Sequence, residues 1–313
     1  MEENMAEIAK NDQVILLSAQ EDLKDGRFNQ VINNAEHLLK KYPNELEING
    51  LYASALYYLK KYHDAYETVQ NFADELIVYP KYQENVLNIF LANQIYMAAR
   101  EVLGQAPSEK YEEWQRLIID QEDRFRKGNG NKLAVETRNF AHLGAHSVYE
   151  QVQEIKTAQK LPLKEYVSAA KILLNDPFGW QVSKTQVLLE LMKVKVSENV
   201  QLFWMDGKAH TISVDELKPL AEYQSFVNVL RKIDEKFAAE DPIKLDLLEK
   251  MLFTQSNYIY PYFDKVITEP DFWADAIAAQ TFGGTVSASD SQEKQMLSWI
   301  RLIHDQEIKI GLI

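Results

Sequence analysis

A spacing of 34 residues recurs near the amino terminus and constrains the fold of this chain more than any other feature. Aromatic residues repeat at this interval, since 62 − 28 and 96 − 62 both equal 34, and they are Phe28, Tyr62 and Tyr96. Three residues after each aromatic lies a small or branched apolar residue, in the order Val31, Ala65 and Ala99. A fixed period of this length is typical of stacked helix pairs, in which each pair buries its apolar face against the next.

A second series of apolar residues, upstream of the aromatics, follows the same period. Its members are Ala19, Ala53 and Leu87. A small residue is needed where two helices cross closely, and an aromatic at the start of the second helix fills the gap to the first. Gly26 can adopt a positive φ in the turn between two helices, and Pro43 and Pro80 close the first two units. The sequence therefore predicts helix pairs joined by short turns.

These residues resemble the tetratricopeptide repeat (TPR), which has small residues at its eighth and twentieth positions, an aromatic at its seventeenth and a proline near its end. The resemblance covers about residues 12 to 107, although the Trp, Leu-Gly and Tyr usual in the first helix of that repeat are missing. It implies an all-α, TPR-like solenoid of helix hairpins that presents a groove to a protein or peptide.

In the TPR family the groove is lined by the second, fifth, ninth, twelfth and thirteenth residues of each first helix. The resemblance therefore implies a set of partner-binding residues spread over three units, which are Gln13, Leu16, Gln20, Glu47, Ser54, Tyr57, Asn88 and Leu91. Adjacent residues diverge by about 100° on a helix, so we expect Tyr57 to face the groove and Tyr58 to pack on a neighbouring helix. The set lacks the Lys/Asn/Arg clamp of chaperone-binding members, and its tyrosines, leucines and amides favour an amphipathic helix or an extended segment.

Further helical segments follow, with one interruption by predicted strands. Gly128-Asn-Gly-Asn131 is the clearest linker signal, so we place the TPR-like repeats in residues 1–127 and a C-terminal helical domain in residues 132–313. One amphipathic helix is expected from Lys132 to Ala158. Two runs rich in β-branched and aromatic residues flank Asp206-Gly207, which predicts a small β-hairpin near residues 200–214 with a type I′ turn.

Four segments of this second half carry another resemblance. They are FAHLGAHSVYEQ, AAKILLNDPF, SKTQVLLELMK and the hairpin that follows. They are similar to the C-terminal region of uncharacterised TPR-containing proteins of low-GC Gram-positive bacteria, although Gly179-Trp180 stands where we expect His-Pro. This resemblance implies a bacterial cytoplasmic protein and gives no activity.

Charge and composition narrow the classes of partner. A formal net charge of −13 repels phosphate backbones and anionic lipid headgroups. The chain contains no cysteine, which excludes disulfides, thiolate metal sites and a cysteine nucleophile. The amino-terminal residues do not form a signal peptide, and no apolar run approaches the ~20 residues of a membrane-spanning helix. We therefore expect a cytoplasmic protein that binds neither nucleic acid nor membranes, and the oligomeric state stays open.

No motif for catalysis or cofactor binding is found. Glycine-rich phosphate-binding motifs and the GxSxG motif do not occur in the sequence, so we expect no cofactor. His142, His146 and Glu150 would share one face of a continuous helix, but the segment lacks the Glu of the HExxH motif, and we expect no metal. Adjacent acidic residues such as Glu122 and Asp123 are assigned to a solvated surface.

The sequence favours a non-enzymatic scaffold that binds a protein or peptide in a TPR-like groove. The strongly negative charge favours a basic partner. The alternative is a peptide-responsive regulatory protein. We expect such a regulator to act through a partner, because the roughly ten residues before the first repeat leave no room for a DNA-binding domain of its own. An enzyme ranks third, since no motif supports it.

Overall fold

The computed structural model describes residues 8–238 and 241–309. Of these residues 74% are helical, and the described part contains one two-stranded antiparallel sheet. The predicted all-α fold with one small β-hairpin is therefore confirmed. The chain falls into two compact units: the first comprises the residues up to Val135 together with Gln159–Leu163, and the second comprises Glu136–Ala158 and the residues from Lys164 onward.

The first unit is built from helix pairs. Helices α1 and α2, α3 and α4, and α6 and α7 pack against each other. Their bounds, with those of the short α5 and the long α8, are α1 (Lys10–Lys24), α2 (Phe28–Leu39), α3 (Leu46–Tyr58), α4 (Tyr62–Val69), α5 (Ala73–Leu76), α6 (Pro80–Ala92), α7 (Tyr96–Gly104) and α8 (Ser108–Ala141).

The 34-residue period sets where each second helix starts. Phe28, Tyr62 and Tyr96 are the first residues of α2, α4 and α7. The apolar residues of the two other series are all at most 1% exposed, and they are Ala19, Val31, Ala53, Ala65, Leu87 and Ala99. Close crossings of this kind require small or tightly packed side chains. The predicted TPR-type helix pairs are confirmed.

The turns inside the three pairs repeat the period as well. Gly26, Lys60 and Gln94 have φ values of 74°, 60° and 60°, and both intervals, 60 − 26 and 94 − 60, equal 34. The sequence indicated this left-handed conformation at the glycine alone. In each turn the next amide donates to a carbonyl five residues back, which is the Schellman arrangement that ends a helix. These bonds are Arg27 N to Asp22 O (2.8 Å), Lys61 N to Leu56 O (2.9 Å) and Ile95 N to Phe90 O (2.9 Å).

The segment that was expected to be a linker is a kink inside α8. Helical conformation runs through residues 128–131 except at Asn129, whose φ and ψ are −131° and 26°. The expected single helix from Lys132 to Ala158 is wrong, because α8 ends at Ala141 and a 3-10 turn covers Leu143–Ala145. A new helix then starts at Val148, where the carboxylate of Glu150 accepts hydrogen bonds from Ser147 N and Oγ, both 2.8 Å, as in a capping box.

The remaining elements of the described residues are eight α-helices, the hairpin and two 3-10 turns, Val214–Glu216 and Leu220–Glu222. Their bounds are α9 (Val148–Ala158), α10 (Leu163–Asn175), α11 (Gln181–Lys193), β1 (Asn199–Phe203), β2 (Ala209–Ser213), α12 (Gln224–Phe237), α13 (Pro242–Ile259), α14 (Phe263–Val266), α15 (Pro270–Phe282) and α16 (Ser291–Lys309).

The hairpin forms where it was predicted, but its turn differs. Strand β1 pairs antiparallel with β2, and Phe203 lies opposite Ala209. A type I′ turn requires positive φ at both central residues, and of the predicted pair Gly207 alone has it, at 76°. The carboxylate of Asp206 accepts from Lys208 N (3.1 Å) and lies 2.9 Å from His210 Nε2. These contacts hold the aspartate in a longer turn, so the predicted turn type is wrong.

Candidate functional site

Polar side chains connect the first helices of the three helix pairs. Helix α3 contacts both α1 and α6. The amide of Gln20 on α1 donates to Glu47 Oε1 on α3 at 2.9 Å, and Lys81 on α6 forms an ion pair with the same carboxylate. Burial opposes the ionisation of Glu47, but the hydrogen bonds from Lys81 and Gln20 hold its pKa below the usual value. Two of the predicted groove residues, Gln20 and Glu47, thus belong to one series of polar contacts that joins the three helix pairs.

Other predicted groove residues contribute to packing. Ser54 is 1% exposed, donates to Gly50 O at 2.7 Å and accepts from Asn85 Nδ2 at 2.9 Å, so it lies between α3 and α6. Leu16 is half-buried against an apolar cluster of α2 and α3. Gln13 is exposed and donates to Ile8 O at 2.8 Å. The structure does not bring Gln13, Leu16 or Ser54 to a cavity.

The last three predicted residues share one cavity. Tyr57, Asn88 and Leu91 line a cavity of about 400 Å³ in the first unit. Tyr57 comes from the end of α3, and Asn88 and Leu91 come from α6. The other lining residues are Ala92, Gln94, Tyr96, Leu117, Gln121, Arg124, Phe125 and Asn129.

The adjacent tyrosines at the end of α3 have different surroundings. Tyr57 is half-buried at the cavity, and its ring contacts that of Tyr62 with a centroid distance of 5.6 Å. Tyr58 stacks on Phe28 of α2 at 4.8 Å, and its hydroxyl donates to Asn85 Oδ1 of α6 at 3.3 Å. Tyr58 therefore contacts two neighbouring helices, whereas Tyr57 is available to the cavity.

The predicted groove residues include none of the residues that α8 contributes to the cavity wall. The signal that could have found them is the same period extended by one unit, because 87 + 34 = 121 and 91 + 34 = 125. Gln121 and Phe125 are thus the equivalents of Leu87 and Leu91. The ring of Phe125 contacts Tyr96 edge to face at 5.5 Å, and burial raises the pKa of Tyr96 to about 12. The first part of α8 therefore occupies the position of the first helix of a fourth helix pair.

The expectation that the acidic pair Glu122 and Asp123 is solvated is wrong for Glu122. It is 2% exposed, and its carboxylate accepts from Arg100 Nε at 2.8 Å and Nη2 at 2.9 Å. The backbone amide of Leu163 also donates to it at 3.2 Å. Asp123 is exposed as expected, because neighbouring residues on a helix point about 100° apart. Glu122 thus pairs α8 with α7 through a bidentate ion pair.

The three residues considered as a metal site, His142, His146 and Glu150, do not share one face of a helix. Helix α8 ends before His142, and Glu150 caps the next helix through Ser147. Within the described residues no group of three or more His, Cys, Asp or Glu side chains could hold a metal ion. Within residues 8–238 and 241–309, no helix is both long enough and apolar enough to cross a membrane.

The three helix pairs and their common period form a helix-pair repeat fold that resembles the TPR. Among curated proteins the chain is similar to the TPR repeat-containing protein YsoA of Bacillus subtilis (strain 168). The two are 23% identical over 259 residues, which cover 82% of this chain and 69% of that protein. No family model matches the chain. No solved structure matches it either.

Proposed function

We propose that this chain is a non-enzymatic scaffold that binds a segment of another protein at the cavity of the first unit. The observation that carries the proposal is that Tyr57, Asn88 and Leu91, expected from the TPR resemblance to face the groove, line one cavity of about 400 Å³. The similarity to a TPR repeat-containing protein supports the same class of function. TPR proteins generally bind proteins or peptides.

The cavity walls suit a peptide backbone with one large apolar side chain. Four lining residues carry carboxamides, which both donate and accept as a peptide bond does, and they are Asn88, Gln94, Gln121 and Asn129. Leu91, Leu117 and Phe125 add apolar surface. The volume lies near the lower end of the ~300–1,000 Å³ usual for ligand pockets, so it fits one side chain with its flanking backbone.

The charges favour a particular kind of segment. Arg124 lines the cavity and is exposed, and its guanidinium makes no ion pair or hydrogen bond with the described residues. An acidic side chain of the bound segment would satisfy its guanidinium. The net charge of −13 acts at longer range and attracts a partner that is basic as a whole. We therefore expect an acidic residue beside a large apolar one, on a partner of net positive charge.

Affinity measurements with a purified partner test this proposal. Tagged full-length protein would capture partners from cytosol at two salt concentrations, and calorimetry would then give the Kd of each variant. Tyr57→Ala should weaken binding about 30-fold, because an aromatic anchor in a dry pocket contributes about 2 kcal/mol. Tyr79→Ala is the matched control, since Tyr79 is 45% exposed and lies outside the cavity. Equal affinities of both variants and the unchanged protein would refute the proposed site.

A further inference from the structure

The second unit contains a larger cavity, of about 790 Å³. Residues from five parts of the unit line it: the turn before α9 with the start of that helix, the turn after α10, the start of α11, the end of the hairpin strand β1 with its turn, and α16. Four of these parts are the segments singled out in the sequence for their resemblance to TPR-containing bacterial proteins. The volume falls within the ~300–1,000 Å³ usual for small-molecule sites.

Two glycines allow the walls of this cavity to approach each other. A Cβ on Gly144 would lie 2.4 Å from Asp176 Oδ2 and 2.9 Å from the backbone carbon of Phe178. A Cβ on Gly179 would lie 3.0 Å from Lys184 Cε. Any larger residue at either position would push these groups apart. The turn after α8 is therefore packed directly on the turn after α10, and the lysine stem lies against that second turn.

Lys184 is a buried cation with an incomplete set of partners. The residue is 1% exposed, and its Nζ donates to Phe203 O at 2.7 Å. Among the described residues it has no other hydrogen bond and no carboxylate within ion-pair distance. Burial lowers the pKa of Lys184 to about 8, although the charge of Asp176 acts in the opposite direction. The protonated ammonium form therefore still predominates at pH 7. A buried ammonium is costly unless it is paired.

Other donors at the cavity also lack acceptors. Helix α11 begins at Gln181 without a side-chain cap, so its first-turn amides carry the partial positive charge of a helix N-terminus. Gln181 Nε2 and Trp204 Nε1 are buried and have no hydrogen-bond partner, and both residues line the cavity. Gln151 Oε1 is a buried acceptor without a partner there. Among the buried unpartnered groups of the lining, donors therefore outnumber acceptors.

We propose that this cavity binds a small organic carboxylate, whose anionic group accepts hydrogen bonds from Lys184 and the start of α11 while its apolar body contacts the aromatic walls. Trp180, Phe203 and Trp204 provide those walls. Lys184 is the one Lys or Arg among the lining residues, which fits a singly charged carboxylate better than a phosphate dianion. The site is independent of the partner-binding cavity of the first unit.

Two of the aromatic side chains that line the cavity are exposed. Phe178 is 81% exposed and Tyr149 is 76% exposed, and both belong to the lining. Large aromatic side chains with so little packing of their own are available to the apolar body of a ligand. Because they are exposed, they can be truncated without disturbing the core.

Calorimetry on the full-length chain tests the proposal, with 3-phenylpropionate as probe and neutral 3-phenylpropionamide as its matched control. The acid should bind one per chain and at least about tenfold more tightly than the amide, because a charge-assisted hydrogen bond is lost in the amide. Lys184→Met should abolish this preference. Lys208→Met should leave it unchanged, because Lys208 lies in the hairpin turn and does not line the cavity.

A second arm identifies the source of the carboxylate. The affinity of the peptide Gly-Gly-Phe is measured as the free acid and as the C-terminal amide, and compared with that of 3-phenylpropionate. If the free peptide acid binds more tightly than 3-phenylpropionate, the site is assigned to chain termini. If 3-phenylpropionate binds more tightly, the site is assigned to small metabolites. Should Lys184→Met fail to fold, Phe178→Ala and Tyr149→Ala should each weaken acid binding about threefold to tenfold with unchanged Tm. The proposal is overturned by no binding at about 10 mM acid, by equal affinities of acid and amide, or by full affinity in the folded variants.

Discussion

Replacing the two non-glycine residues in the left-handed turns by glycine should stabilise the first unit. Lys60 and Gln94 both have φ of 60°, in the position that Gly26 occupies in the first pair. That conformation costs an ordinary residue about 1–2 kcal/mol, and glycine in turn loses about 0.5–1 kcal/mol more backbone entropy on folding. We therefore expect Lys60→Gly and Gln94→Gly each to raise the free energy of unfolding by about 0.5–1 kcal/mol.

The three equivalent positions allow an internal comparison. Gly26→Ala should have the opposite sign, lowering the free energy of unfolding by about 1 kcal/mol, because the alanine is forced into the left-handed region. Gln30→Gly is the matched control for Gln94→Gly, since Gln30 is exposed and lies inside α2. There glycine should cost about 0.5–1 kcal/mol.

Urea denaturation of the full-length variants would measure these changes, with the slope m unchanged if compactness is unaffected. The turns belong to successive helix pairs, and Asn93 beside one turn donates to Tyr62 O beside the other at 2.8 Å. Because neither substitution removes this bond, the double variant should gain about 1–2 kcal/mol, close to the sum of the single changes. A loss of stability in Lys60→Gly and Gln94→Gly that matches the loss in Gln30→Gly would refute the reasoning. The turns would then lack the Schellman geometry that repeats with the helix pairs.

Two further pairs of variants test the packing between helices of the first unit. Gly50→Ala should lower the free energy of unfolding by about 1–3 kcal/mol, because its Cβ would lie 2.7 Å from the ring of Tyr82. Gly128→Ala, whose Cβ would meet nothing within 4 Å, should instead stabilise α8 by about 0.5–1 kcal/mol, and urea denaturation of both variants measures the difference. Glu122→Gln should cost about 3 kcal/mol, since it leaves a nearly buried arginine without its carboxylate, whereas Asp123→Asn on the exposed side should change stability by less than about 0.5 kcal/mol. A thermal shift of equal size in both acidic variants would contradict the buried ion pair.

The helix pairs could be predicted because their signal is periodic in the sequence. An aromatic, a small residue and a turn recur every 34 positions, and close helix crossings tolerate few alternatives at those sites. The groove residues of α8 were not predicted, because the aromatic position that would mark a fourth helix pair, 96 + 34 = 130, is a glycine in this chain. Phe125 of α8 provides the contact with Tyr96 instead, and only the structure shows it. Glu122 was assigned to the surface because its partners, Arg100 of α7 and the amide of Leu163, are 22 and 41 residues away and leave no local signal.

The cavities depend on contacts that local patterns do not encode. Tyr57, Asn88 and Leu91 were expected from the TPR phase to share a face, but the wall opposite them comes from α8. In the second unit, Gly144 allows one turn to contact another that is more than thirty residues away, since 176 − 144 = 32. The hairpin was found from its Asp-Gly dipeptide, whereas its turn type depends on carboxylate contacts with residues two and four positions along the chain.

The central claim, that a partner segment binds at the first-unit cavity, is tested most directly by site-specific photo-crosslinking. A benzophenone amino acid would replace Tyr57 at the cavity, Tyr79 outside it and Tyr149 in the second unit of the full-length chain, and mass spectrometry would map the crosslinked partner peptide. We expect crosslinks at position 57 to one segment that carries a large apolar residue beside an acidic one, and at most weak labelling at positions 79 and 149. Equal labelling at position 79, or crosslinks to the same partner at position 149 alone, would contradict the claim.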